Sequence, residues 1–259
     1  MINANAITAV AYRDLIKFLR DPIRMLSTFI FPLVFIGVLG GSFQASFGPN
    51  MGFNFLSFIF TGVLAQTLFQ SAAMGLVSLI EDRENDFSQA IFVSPISRYA
   101  IIFGKVSGEA LVAMTQGLGI LAFAIIIGIP FTPRQAILLA PAALIACFFG
   151  GAFGVIIMAN LKSQRAANQV FPFIMLPQYF LAGVFTPIDN LPWYLTILSI
   201  MSPMRYPVDL IRGVYYAGSP AYDSVVLQEP LVNLGIIAIL FATFLMVGTM
   251  LFVQKERNR

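Results

Sequence analysis

The stretch Met25–Ile80 reads MLSTFIFPLVFIGVLGGSFQASFGPNMGFNFLSFIFTGVLAQTLFQSAAMGLVSLI, and none of its 56 residues is charged. A helix that crosses a bilayer needs about 20 consecutive, mostly apolar residues. Two crossings and the turn between them therefore fit this stretch, and Gly48-Pro49-Asn50 carries the turn signal. The crossings are expected near 25–45 and 55–79. Applied outward, the same rule places four more near 106–128, 136–159, 168–186 and 231–253. The expected fold is an all-α polytopic membrane protein of six transmembrane helices, forming one domain over residues 1–259.

Composition agrees. Hydrophobic residues make up 58% of the chain and charged residues 10%, with a mean hydropathy of +0.85, whereas soluble domains carry about 25% charged residues. The placement of the basic residues sets the expected topology. Of the fifteen Lys and Arg, twelve fall on one side of the six-span weave. These are Arg13, Lys17, Arg20 and Arg24 before the first span, then Arg83, Arg98 and Lys105, Lys162 and Arg165, and Lys255, Arg257 and Arg259. Only Arg134, Arg205 and Arg212 fall on the other side. Such an excess in short loops marks the cytoplasmic face, so both termini are expected there. Topology and anionic lipid explain the net charge of +3 without a nucleic-acid partner.

Between the spans, two regions are expected to form short helices. Arg13, Lys17, Arg20 and Arg24 recur at spacings of 4, 3 and 4, one stripe of a helix over about 5–22, with Ala11, Leu15, Phe18 and Leu19 opposite. It reads either as a topology anchor on anionic headgroups or as a docking surface for a cytoplasmic partner. The outer segment 187–229 is too apolar for a plain loop: Trp193, Tyr194, Leu195, Ile197, Leu198 and Ile200 are punctuated by Pro192, Pro203 and Pro207. Short interfacial helices with a Trp-Tyr anchor and a re-entrant hairpin both fit it. Gly37/Gly41, Gly104/Gly108 and Gly150/Gly154 are small-residue pairs of the kind that let helix backbones approach.

The chain has no histidine and one cysteine, Cys147. Histidine-based catalytic dyads, zinc sites, cysteine clusters and internal disulfides are excluded, and no metal site is expected. No cleavable signal peptide is read. Ion-coupled carriers hold Asp, Glu or His at depth, but here only Glu109 comes near, one turn inside the third span and four residues after Lys105. It is expected to be a paired interfacial charge. No Gly-x-x-x-x-Gly-Lys-Ser/Thr loop exists; before Gly104-Lys105 the first glycine is replaced by Tyr99, and Val106 follows. The chain therefore binds no cofactor by such a loop, and a pump built on it must draw its energy from another chain. The loop after the second span could receive that force. Its residues Glu81, Asp82, Arg83, Glu84 and Asp86 form a charge cluster, then Phe87, Ile91 and Phe92 give an apolar side, and Ser94-Pro95 ends it. It reads as a helix that seats in a partner's groove or as a solvated loop with an interfacial turn.

These residues resemble a known family. Arg83-Glu84 with Phe87, the run Val93-Ser94-Pro95-Ile96-Ser97-Arg98, and Gly104-Lys105 are similar to the first cytoplasmic loop of ABC-2 type permeases. These are membrane subunits of bacterial ATP-binding-cassette exporters. Leu181-Ala182-Gly183-Val184-Phe185-Thr186-Pro187, Leu191-Pro192-Trp193 and Ser202-Pro203-Met204-Arg205-Tyr206-Pro207-Val208-Asp209 with Arg212-Gly213 resemble the family's fifth span and outer hairpin. Asp86 stands where many members have Gly.

The resemblance implies a permease pair, homodimer or close paralogues, in the bacterial cytoplasmic membrane. Each copy would contact a cytoplasmic ATPase subunit that carries ATP and Mg. Residues 82–95 would act as the coupling helix, with the surface helix beside it, and the hairpin bearing Pro187, Pro192, Trp193, Pro203 and Tyr206 would cap the exit. Rival readings are weaker. An importer-type Glu-Ala-Ala-x-x-x-Gly loop is absent, since Glu109-Ala110-Leu111 has Thr115 where the glycine belongs. A membrane enzyme would lack acid–base groups. A passive carrier is opposed only as far as ion coupling goes. The expected cargo is an amphipathic or hydrophobic drug-like or lipid-like compound, with a lipid-linked glycan as the alternative.

Overall fold

A computed structural model describes residues 4–48, 52–84, 98–161 and 163–257. Its secondary structure, among these residues, is helical. Helix α1 covers Ala4–Leu19. The first span is one continuous rod, α2 (Pro22–Val34), a π-helical stretch (Phe35–Gly40) and α3 (Gly41–Phe47). Then come α4 (Phe55–Gly75), α5 (Val77–Glu84), α6 (Arg98–Ile126), α7 (Pro133–Met158) and α8 (Gln164–Leu181). The outer segment holds α9 (Trp193–Met201), α10 (Arg205–Tyr215) and α11 (Tyr222–Val225), and α12 (Pro230–Arg257) closes the chain.

Among the described residues, five helical stretches are long and apolar enough to cross a membrane: Pro22–Ser46, Phe55–Glu81, Tyr99–Ile126, Pro133–Met158 and Tyr222–Lys255. They coincide with five of the six expected crossings. The remaining one, expected near 168–186, corresponds to α8, an 18-residue helix that starts and ends earlier. Gln164, Arg165, Asn168, Gln169 and Gln178 make α8 too polar to qualify on composition.

Helix α4 is the hub. Nearly every residue of it is buried, from Phe55 and Phe58 to Ala73 and Gly75, as expected of a helix that is apolar all round and packed by neighbours. It packs on α6, α7 and α10. The α4–α7 contact is a small-residue crossing. A Cβ added at Gly150 would lie 2.1 Å from the Phe69 carbonyl oxygen, and one at Gly154 would lie 2.5 Å from that of Ala73. Two glycines four apart thus face two α4 backbone positions four apart, which is how small-xxx-small pairs bring helices together. Gly104 and Gly108 do the same for α6 and α1, facing Ile7, Val10, Ala11 and Asp14. The third pair differs: Gly37 faces Phe123, but nothing lies within 4 Å of a Cβ at Gly41.

Helix α1 is not a single basic stripe. It ends at Leu19, and Asp21 caps the next helix by accepting a hydrogen bond from the Arg24 backbone N–H at 2.9 Å. Arg24 therefore belongs to the first span. The buried face of α1 is Ala11, Asp14 and Phe18, while Leu19, expected on the apolar side, is 44% exposed.

The outer segment resolves into two unlike helices. α9 presents Trp193, Tyr194, Ile197 and Met201 outward, as an interfacial helix would. α10 is inserted among α4, α7 and α12, with Tyr206 to Gly213 buried throughout. One half of the segment is thus exposed and the other packed inside the helix bundle.

The outer ends are tied by polar contacts. Asn54 Oδ1 accepts from Ser57 N–H at 2.9 Å and caps α4. Thr132 and Gln135 form a capping box at the start of α7, and Gln135 Nε2 donates to the Tyr215 carbonyl at 2.7 Å.

Candidate functional site

Helix α4 turns a line of uncharged polar side chains toward α2, α6 and α8. Gln66 and Gln70 are one helical turn apart, and Gln66 Nε2 donates to Gln70 Oε1 at 2.6 Å. Tyr179 of α8 donates its hydroxyl to the same Gln70 oxygen at 2.5 Å. Gln66 and Gln70 line a cavity of 290 Å³ together with Thr67, Ser71, Gln116 of α6, and Ser27 and Thr28 of α2, with Arg24, Phe31 and Met74 among its other walls. Among the described residues, Gln66 Oε1 and Thr67 Oγ1 are buried with no hydrogen-bond partner. Such atoms are costly in an apolar setting unless water or a ligand meets them.

Two further cavities continue this groove. One of 260 Å³ shares Gln70 and Met74 and is walled by Phe171, Pro172, Phe173, Leu176 and Tyr179. It supplies an apolar flank to the polar line. The other, of 270 Å³, shares Arg24, Met74 and Gly75 and leads to Asp14, Lys17, Glu81 and Glu109. The groove thus has a charged end, which lies on the side of α1 and α5.

Charge at that end is arranged in pairs. Lys105 is 2% exposed, and its Nζ stands 3.3 Å from Asp14 Oδ1, 3.2 Å from Oδ2 and 3.0 Å from Ser78 Oγ. The expectation that Lys105 serves the paired charge on its own helix is thus corrected in part: it reaches across to α1. Arg13 also holds Asp14, at 2.9 Å. Lys17 lies 3.7 Å from Glu81. Arg20 and Arg24 are exposed, and the Arg24 guanidinium sits 5.5 Å from the centre of the Phe18 ring.

Of the proposed docking loop, Glu81 is described, and Asp82, Arg83 and Glu84 form the end of α5. Asp86, Phe87, Ile91, Phe92, Ser94 and Pro95 lie outside the described residues, as does Pro49-Asn50 of the first outer turn.

In the outer hairpin, Tyr206 donates to the Ile200 carbonyl at 2.6 Å, linking α10 to α9. Pro192 and Trp193 are exposed, and Pro187 and Pro203 are half-buried. Two residues that the sequence analysis named only within the family motif, without a role, hold the hairpin. Arg212 is 1% exposed, donates to the Gly183 carbonyl at 2.6 Å, and lies 3.7 Å over the Phe58 ring centre. Gly62 of α4 leaves room for it, since a Cβ there would be 2.9 Å from an Arg212 nitrogen. Asp209 accepts from Leu227 N–H at 2.8 Å, Gln228 N–H at 2.9 Å and Asn233 Nδ2 at 2.7 Å, fixing the start of α12.

This architecture defines a polytopic membrane protein with a polar groove beside its central helix and a helical hairpin before the last helix, of which α10 is buried. Residues 5–216 match the family model described as "ABC-2 type transporter", and the chain belongs to that family. It is 28% identical over 246 residues to a protein of Cyanophora paradoxa named as the transport permease ycf38, covering 93% of this chain and 85% of that one. It is 27% identical over 172 residues to Escherichia coli YbhR, named as a multidrug ABC transporter permease, covering 65% of this chain and 46% of YbhR. It is 23% identical over 184 residues to nodulation protein J of Rhizobium leguminosarum bv. viciae, covering 70% of each. The chain is thus a transport permease of the ABC class, not a catalytic enzyme, and its family implies a partner ATP-binding subunit.

Proposed function

We propose that the chain moves an amphipathic or hydrophobic compound out of the cytoplasm or inner leaflet, along the groove beside α4. The observation that carries this reading is the buried, unpartnered pair Gln66 Oε1 and Thr67 Oγ1 in a cavity that has an apolar flank. A polar line for the head of an amphiphile next to an aromatic wall for its body suits such a cargo. The multidrug name of one relative points the same way. In this reading α8 is the sixth crossing, despite its polarity, because its Tyr179 faces the groove. Both termini then lie in the cytoplasm, in agreement with the bias of Lys and Arg. Two copies would pair in the cytoplasmic membrane through their exposed apolar helices, with lipid around them, and residues 82–95 would seat in each ATPase subunit.

A cysteine at position 71 tests the groove. Cys147 is fully buried, so the background thiol is shielded. Ser71→Cys should export normally, and a bulky maleimide at that cysteine should lower vesicle export at least about tenfold. Unchanged export after complete labelling removes the groove from the path. The loop has its own test. Phe87→Asp should leave membrane insertion intact while ATP hydrolysis and export come apart. Full coupling in that variant rejects the role given to residues 82–95, and export without any ATPase subunit would make the chain a passive carrier.

A further inference from the structure

Among the described residues, two carboxylates at the charged end of the groove bury an oxygen without a hydrogen-bond partner: Asp14, whose Oδ2 is 3.2 Å from Lys105 Nζ, and Glu109, for which the structure shows no ion pair. The Glu109 side chain is 4% exposed, it lines the 270 Å³ cavity, and Oε2 has no hydrogen-bond partner among the described residues. The fold makes space for it: a Cβ at Gly75 would stand 1.9 Å from Oε2, so any larger residue at that α4 position would make the Glu109 carboxylate shift. The neighbouring charges have other contacts. Asp14 is held by Arg13 and Lys105, Glu81 faces Lys17, and Arg24 lies over Phe18. A buried carboxyl oxygen left without a partner can be met by a cationic group that arrives with its own apolar body.

Resting on the groove as the cargo path, we propose that Glu109 receives a positively charged group, so the cargo class is an amphiphile bearing an organic cation. The cation would meet Glu109 beside Gly75 and Met74, and the apolar body would lie toward Phe171, Leu176 and Tyr179, because the cavities share Met74 as a common wall. Lys17 and Arg24 also stand at this mouth. Both are exposed, and water screens them far more than it screens Glu109.

The test uses the purified full-length permease in detergent and two probes of like shape and opposite charge, tetraphenylphosphonium and tetraphenylborate. The wild type should prefer the cation. Glu109→Gln should weaken cation binding about tenfold or more, the scale of one lost contact to a charged group, and leave tetraphenylborate binding unchanged. A second measurement needs no variant: tetraphenylphosphonium should protect Glu109 of the wild type from dicyclohexylcarbodiimide. Short-chain phosphatidylethanolamine should displace the probe, and phosphatidylglycerol should not, if lipid headgroups supply the cation; displacement by neither assigns the site to free lipophilic cations. No cation preference, no protection, or an unaltered Glu109→Gln overturns the inference. If export is still blocked by a maleimide at position 71 in that case, the groove stands and only the charge assignment falls.

Discussion

Gly150→Ala is expected to disrupt the central crossing of the protein. Its added methyl would sit 2.1 Å from the Phe69 carbonyl oxygen, a backbone atom that cannot rotate away. Helices α4 and α7 would have to part by about an ångström, and close-packed interiors do not yield that distance without loss elsewhere. Overpacking typically costs about 1–3 kcal/mol, and a clash with backbone belongs at the upper end. The variant should show a lower melting temperature and a smaller monodisperse fraction in detergent. Gly41→Ala is the matched control, because its methyl meets nothing within 4 Å and alanine favours helix by about 1 kcal/mol. Equal stability of the two variants would remove the role given to the small-residue crossing.

Arg212→Met is expected to loosen the outer hairpin. The guanidinium is held by the Gly183 carbonyl at 2.6 Å and stacks over Phe58 at 3.7 Å. Hydrogen bonds to charged groups contribute about 1.5–3 kcal/mol, and a desolvated cation–π contact about 2 kcal/mol. Met fills the volume but leaves carbonyls of the α8 end unpaired. Arg212→Lys should recover little, since a point charge cannot reach carbonyl and ring together as a planar fork does. Both variants should expose 187–229 to protease added from outside, with a lowered melting temperature. Wild-type resistance in Arg212→Met would show that the hairpin is held by other contacts.

Much of the scaffold could be read from the chain because lipid imposes a simple demand. Uninterrupted apolar length announced five crossings, and Pro punctuation announced the helices between Pro187 and Pro230. The polarity of α8 was legible too, but its Gln and Asn residues were outvoted by the apolar run that follows. What stayed hidden depends on which partner a polar side chain finds. Asp209 and Arg212 stand in a recognisable motif, but their burial is not legible there, because the backbone groups that satisfy them lie 18 and 29 residues away. Asp14 was overshadowed by the basic stripe around it, and only the approach of Lys105, 91 residues on, explains its burial. The groove did leave a trace: Gln66 and Gln70 stand four apart in an otherwise apolar helix, and that spacing places them on one face.

The union of α1 with α6 has a mechanical consequence. Gly104 and Gly108 remove the gap between the two helices, and Asp14 bridges them to Lys105, so sliding one along the other would break a desolvated ion pair. Residue 98, where α6 begins, lies three positions after 82–95, the segment proposed to seat in the ATPase subunit. A thrust arriving there would be delivered to a double-thickness lever, whose stiffness would carry the stroke inward past Glu109 instead of dissipating it as bending near the surface.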